Sequence, residues 1–149
     1  MTLTSQQKGK IGELWVFGKL IDAGVNVYLP MVDNEGIDAI VRKKNGTLLE
    51  IQVKSTRAED QAGYFNARLC PAPNLFVVCV DISPVDKSGA PPEVWIFPSD
   101  VFANPDYSAK TKGGEYRLAL AARSKKHQNS PRKELLAQYH EAWELLTGP

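Results

Sequence analysis

The chain has 149 residues, 43% of them hydrophobic, and a formal net charge of +1. That length supports one domain, residues 1–149, with enough apolar material for a real core, and leaves no room for a second domain. No run approaches the roughly 20 apolar residues of a membrane span, and the start MTLTSQQKGK lacks the apolar stretch of a secretory signal, so a cytoplasmic location with no membrane contact is expected.

Thr4 or Ser5 offers a cap for a first helix running to about Ala23, where Gly24 stops it. Ile11, Leu14, Trp15, Gly18 and Ile21 recur at helical spacing and are expected to form its buried stripe. Glu13 lies beside that stripe in a row with Phe17 and Leu20. It faces either protein or, paired with Lys10, solvent. Gly9 and Gly12 each cost a helix roughly 1 kcal/mol relative to alanine, which suggests that something approaches the helix backbone closely. Residues 25–32 then read as a first strand, and the turn Asp33-Asn34-Glu35-Gly36 leads into the next element. Asp33 and Glu35 read as ordinary solvated turn acids.

Residues 36–54, GIDAIVRKKNGTLLEIQVK, read as a β-hairpin with chemistry on one face. Residues 37–43 and 47–54 alternate with period two around Asn45-Gly46. A two-residue loop would place Glu50, Gln52 and Lys54 on the face of Ile37, Ala39 and Val41, burying charge among aliphatics. A three-residue loop, Lys44-Asn45-Gly46 with Gly46 left-handed, pairs Lys43 with Thr47 instead, and both faces sort cleanly. Ile37, Ala39, Val41, Leu49, Ile51 and Val53 then make one apolar face. Asp38, Glu50, Gln52 and Lys54 share the other, with Asp38 across from Gln52 at roughly 5 Å between Cβ atoms, and Glu50 and Lys54 diagonal to it. Two carboxylates so placed can hold a hard divalent cation such as Mg²⁺, which keeps several waters for reaction with a phosphate. Lys54 is then placed to polarise a phosphate oxygen or orient the attacking water. The plain alternative is a solvated hairpin face with a cross-strand ion pair.

A helix, an aspartate, a hairpin and a strand ending in a (D/E)xK-like run resemble the PD-(D/E)XK, or restriction-endonuclease-like, nuclease superfamily over roughly the first 55 residues. The resemblance implies an α/β fold with a mixed central β-sheet carrying the catalytic β-hairpin, flanked by N- and C-terminal helices. It also implies metal-dependent phosphodiester hydrolysis with Mg²⁺ or Mn²⁺, with Asp38, the 50–54 segment and Lys54 at the motif positions. In related nucleases a first-helix glutamate joins the metal site, which would bring in Glu13. Ile37 stands where the family has proline, and Gln52 where it has the acid two residues before the lysine. The resulting ExQxK run is similar to that of a branch including methylation-dependent restriction enzymes. Asp38, Glu50, Gln52 and Lys54 are therefore the expected catalytic residues, and Asp38, Glu50 and Glu13 the expected metal ligands.

Further along, residues 55–68 read as a short helix or an irregular loop. Residues 74–81 are a valine-rich apolar run expected at the sheet centre, and residues 83–92, with Pro84, Gly89, Pro91 and Pro92, read as a loop. Residues 93–97 read as a strand, Ser99 and Asp100 as a cap for a short helix, residues 104–114 as a polar segment, and residues 116–121 as a last strand. From 107 to 133 there are eight Lys and Arg residues against Glu115 alone. Lys110, Lys112, Arg123, Lys125 and Lys126 in this stretch are the expected nucleic-acid contacts. Ser130-Pro131 opens a helix expected to run to about Leu146, with Leu136, Tyr139, Trp143 and Leu146 as its seam. Cys70 and Cys79 read as buried thiols, and His127 and His140 as surface or capping histidines.

The function expected is a nuclease acting on nucleic acid, DNA foremost, with a homodimer suggested by two-strand cleavage. The rival readings are a catalytically silent module of the same fold, binding nucleic acid or a partner protein, and a purely structural subunit.

Overall fold

The computed structural model describes residues 2–57, 64–119 and 136–149. Helix α1 (Ser5–Asp22) starts at a reciprocal cap, with the Thr4 hydroxyl accepting from the Gln7 amide and the Thr4 amide donating to the Gln7 side chain. It ends at Ala23, and Gly24 reverses the chain at φ +80°.

The face that α1 buries is not the expected one. Gly12, Val16, Phe17 and Leu20 are buried, whereas Leu14 and Ile21 are more than 60% exposed, Gly18 is open and Ile11 is largely exposed. Trp15 alone of the expected stripe packs against the core. Apolar residues occupy rows on both sides of this helix, so periodicity does not choose between them. The choice falls to Gly12, which has no side chain and lets the backbone approach a strand: a Cβ there would collide with the hydroxyl of Ser55 and lie 3.0 Å from its Cβ. Gly9 has no such neighbour. Val16 and Leu20 become fully buried, each worth about 1.5–3 kcal/mol.

The strands are β1 (Asn26–Tyr28), β2 (Ala39–Arg42), β3 (Leu48–Thr56), β4 (Tyr64–Ala67), β5 (Leu75–Asp81), β6 (Glu93–Pro98), β7 (Ser108–Lys110) and β8 (Tyr116–Ala119). A five-stranded sheet has the order β1-β2-β3-β5-β6, antiparallel throughout except for the parallel β3–β5 pair. The fold is therefore α/β with a mixed central sheet and a hairpin in its middle. β3, not β5, is the middle strand, although β5 is buried along nearly its whole length, as its apolar run requires. β1 is shorter than the 25–32 segment expected, because Pro30 has no amide to extend the ladder beyond the Tyr28–Ile40 pair. Leu29, Met31 and Val32 are left exposed.

The hairpin register is the one its facing demands. Arg42 pairs with Leu48 and Ala39 with Ile51, and the Lys43 amide donates to the Thr47 carbonyl at 2.9 Å. Gly46 takes φ +89° in a three-residue loop. Ala39, Val41, Leu49, Ile51 and Val53 join Val16, Phe17 and Leu20 in the core under α1. The opposite sheet face, through Val77, Cys79 and Phe97, packs with Phe65, Ala67 and Leu118 of a second sheet of order β4-β8-β7. That second sheet takes β4 from the 55–68 segment, expected as a short helix or an irregular loop, and β7 from the polar 104–114 segment. The 83–92 loop holds a short helix, α2 (Ser83–Ser88), and α3 (Ser99–Phe102) follows β6.

The expected C-terminal helix is the largest departure. Residues 130–135 lie outside those described, and from 138 to 143 the chain is not helical. It covers the free edge of β6 instead: the Ile96 amide donates to the Tyr139 carbonyl, the Glu141 amide to the Val94 carbonyl, and the Val94 amide to the Glu141 carboxylate at 3.0 Å. His140 bridges Trp95, and Glu141 adopts φ +53° to make the reversal. An uncovered sheet edge has unmet backbone groups, and satisfying them outweighs helix propensity here. Leu136 and Leu146 consequently enter different cores on opposite sides of the sheet, and only Glu144–Thr147 forms a final turn, α4.

Candidate active site

Asp38 stands at the end of the hairpin ladder. Its amide donates to the Ile51 carbonyl at 2.9 Å, and its Oδ2 accepts from the Val53 amide at 2.7 Å. In this register the Val53 amide would ordinarily pair with the carbonyl of residue 37, so the carboxylate takes over a backbone acceptor's place. The paired strand β2 therefore stops at Ala39, one residue short of an Asp38–Gln52 pair.

The half-buried Asp38 carboxyl holds its proton above the ordinary range, chiefly because burial disfavours its charge. The Val53 hydrogen bond opposes this, as does the positive charge of Lys54, whereas the negative charges of Glu13 and Asp33 add to it. Of the carboxylates acting on Asp38, that of Glu13 on α1 bears most. Lys10 donates to Glu13 Oε2 at 2.5 Å and feels the Asp38 charge as well; the Glu13 hydrogen bond and charge raise its proton affinity. Lys10, Glu13, Asp38 and Lys54 thus share one electrostatic neighbourhood, built from α1 and the open end of the hairpin.

Gln52 is 1% exposed. Its Nε2 donates to the Arg68 carbonyl at 3.1 Å, and its buried Oε1 has no hydrogen-bond partner among the described residues. Gly36, at φ +80°, closes the preceding loop over it: a Cβ at that position would sit 2.6 Å from Gln52 Nε2. Lys54 is half-buried opposite Cys79 in the parallel register. That register sets the two side by side on one face; burial pushes the Cys79 thiol well up, and the Lys54 charge pulls it back. Glu50 pairs with Ile40 on one side and Leu75 on the other, one pleat nearer the hairpin tip and about 7 Å along the strand from Gln52.

The charges of Glu13 and Lys54 thus both act on Asp38, Gln52 directly precedes the Val53 whose amide Asp38 accepts, and Glu50 stands toward the tip. Lys10, Asp33 and Gly36 were not expected at the site. Asp33 also closes a local turn by accepting from the Glu35 amide, and the Asp33-to-Gly36 spacing is the signal that could have found both. Among the described residues no three His, Cys, Asp or Glu side chains converge as a ready metal cage. The donors present still fit a Mg²⁺-type ion, which takes one or two carboxylates and keeps its waters: Asp38 and Glu13 supply charge, and the orphaned Gln52 Oε1 is a neutral oxygen in want of a partner.

The basic residues fall partly on the second sheet. Lys110 and Lys112 are exposed, Lys110 lying over the Tyr116 ring, and Arg117 stacks on Tyr64 at 4.3 Å while donating to Asn66. The Arg68–Gln52 hydrogen bond ties this sheet to the site. Arg123, Lys125 and Lys126 lie outside the described residues.

The profile of the PD-(D/E)XK endonucleases matches residues 3–85, a span that includes α1, the hairpin and β5. The chain belongs to the PD-(D/E)XK endonuclease family. Among solved structures it is similar to a bacterial homing endonuclease, I-Ssp6803I, at 25% sequence identity and a TM-score of 0.60, over 95% of this chain and 91% of that one. No curated protein matches it. Family membership makes it a nuclease fold directed at nucleic acid. Among the described residues no helix is long and apolar enough to cross a membrane.

Proposed function

We propose that this PD-(D/E)XK protein is a DNA endonuclease dependent on Mg²⁺ or Mn²⁺, working at the Asp38–Lys54 end of the hairpin. The observation that carries the reading is Asp38 itself: a carboxylate anchored by the Val53 amide, half-buried, and held in the fields of Glu13 and Lys54. A structural ion pair does not need the charge of a second carboxylate acting on the first. The likeness to a homing endonuclease over nearly the whole chain favours DNA as substrate.

Asp38, Glu13 and Glu50 would hold the divalent ion, with Gln52 Oε1 orienting a ligand or a water. The bound ion supplies charge stabilisation and a more acidic water. Lys54 donates to the phosphate oxygen that gains negative charge as the phosphodiester is attacked, and its half-buried position strengthens that interaction relative to water. Lys10, which donates to Glu13 Oε2, would add a second positive charge for the phosphate. The basic surface of the second sheet holds the backbone on either side. A homodimer would provide two such centres for two strands, and the exposed row Ile11, Leu14, Gly18 and Ile21 on α1 supports it. A cytoplasmic setting fits the free thiol at Cys70, which is exposed where a buried thiol was expected, whereas Cys79 is buried.

Cleavage of supercoiled plasmid with Mg²⁺, Mn²⁺ or chelator tests the proposal, with Lys54→Ala as the companion. The parent should cut only with the ion, and Lys54→Ala should cut about 10²–10³ times more slowly with an unchanged melting curve. A parent that binds DNA and never cuts would instead support the silent binding module, which Gln52 at the acid position favours.

A further inference from the structure

A cleft of about 440 Å³ opens at the other end of the hairpin, between its tip and the C-terminal end of α1. Arg42, Lys43 and Lys44 line it together with Asn26 and Asn45, and no acidic residue does. Strand alternation alone would send Arg42 and Lys43 to opposite faces, yet both reach this one concavity. Gly24 and Gly46, at φ +80° and +89°, complete its wall, and Lys44 lies across Gly24 with its Cε 3.8 Å from where a Cβ would be. The negative end of the helix dipole is worth about half a unit charge, against three full positive ones. Among the described residues neither Arg42 nor Lys44 has a carboxylate partner, while Lys43 leans toward the Pro149 carbonyl at 3.5 Å. The Asn45 carbonyl oxygen is taken up by the Thr47 amide, so its amide group is the end left for a ligand.

We propose that this cleft binds a phosphate group. A guanidinium, two ammonium groups and side-chain amides around a concavity match a tetrahedral anion, with Arg42 suited to a two-pronged grip. The phosphate comes either from a nucleic-acid backbone or from a small phosphorylated molecule. The backbone source rests on the nuclease reading. Lys44 is six residues from Asp38, about 20 Å at 3.3 Å per residue, or roughly six base pairs of rise along one DNA strand. A duplex held at the catalytic end would thus reach the cleft.

The test uses the full chain and the double variant Arg42→Gln, Lys44→Gln, two exposed positions outside the catalytic set. Amide chemical shifts are followed during titration with inorganic phosphate, with chloride at matched ionic strength as control. Binding of a 30-base-pair duplex is measured across a salt series in chelator, so that no cleavage enters. The expected result is saturable phosphate shifts centred on residues 24, 26 and 42–46 in the parent, weakened at least about tenfold in the variant. If the backbone is the source, the variant also lowers the salt slope of duplex binding by about two. Loss of phosphate binding with an unchanged duplex slope assigns the cleft to a small phosphorylated ligand. Phosphate shifts and duplex slope both equal in parent and variant overturn the proposal. Because the duplex arm runs without metal, a failure of the nuclease reading would show separately, as an absence of cleavage in Mn²⁺.

Discussion

Gly12 of α1 is pressed against Ser55 of β3, so the residue before Glu13 touches the residue after Lys54. This contact sets how close a helix-borne carboxylate comes to a strand-borne ammonium. Gly12→Ala should improve helix propensity yet destabilise the protein by about 1–3 kcal/mol, because the new methyl overlaps the Ser55 side chain. Cleavage should fall further than stability accounts for, since a displacement of 1 Å at a catalytic group can cost about 10²-fold. Urea unfolding checks the first effect. Adding Ser55→Gly to the same chain should recover much of the loss, and additive behaviour of the two changes would refute the contact as its cause.

Asp38 makes stability depend on pH in a defined direction. Its folded-state affinity for a proton is raised above the ordinary value of 3.8, by burial first. The stabilisation it contributes is therefore complete below that value and is lost as pH rises through the raised one. At neutral pH without metal, Asp38→Asn should melt at or above the parent temperature, and the advantage should shrink as pH falls toward 4. A variant clearly less stable at pH 7 would mean that the charge on the Val53 hydrogen bond outweighs burial.

The ligand set is separable by isothermal titration with Mn²⁺. Glu13→Gln and Glu50→Gln keep size and hydrogen bonding while removing a charge, and each should weaken binding at least about tenfold, or 1.4 kcal/mol. Gln52→Glu should hold or tighten it. Whichever glutamate variant binds like the parent leaves the ligand set.

Nucleic-acid affinity should fall steeply with salt. Charge reversal of Arg123, Lys125 and Lys126 should lower the slope of log affinity against log salt by up to about three, and neutralising Lys110 and Lys112 by up to two more. An unchanged slope would move the binding surface elsewhere on the chain.

The sequence by itself determined the hairpin, its three-residue loop, the sorting of Asp38, Glu50, Gln52 and Lys54 away from the aliphatic face, and the family. These were legible because the information is local: a period of two, one Asn-Gly, and the cost of burying charge together admit a single register. What only the tertiary structure decided involves partners distant in sequence. α1 has apolar rows on both sides, and its buried face was chosen by Gly12 fitting against Ser55. The helical pattern near the C-terminus yielded to the unmet backbone edge of β6, which lies more than 40 residues earlier. Asp38 left the paired ladder to accept the Val53 amide, and α1 brought Glu13 rather than Glu50 to bear on it. Periodicity reports which residues share a face; which face meets which neighbour depends on shape and on backbone groups that must be satisfied after the chain has folded.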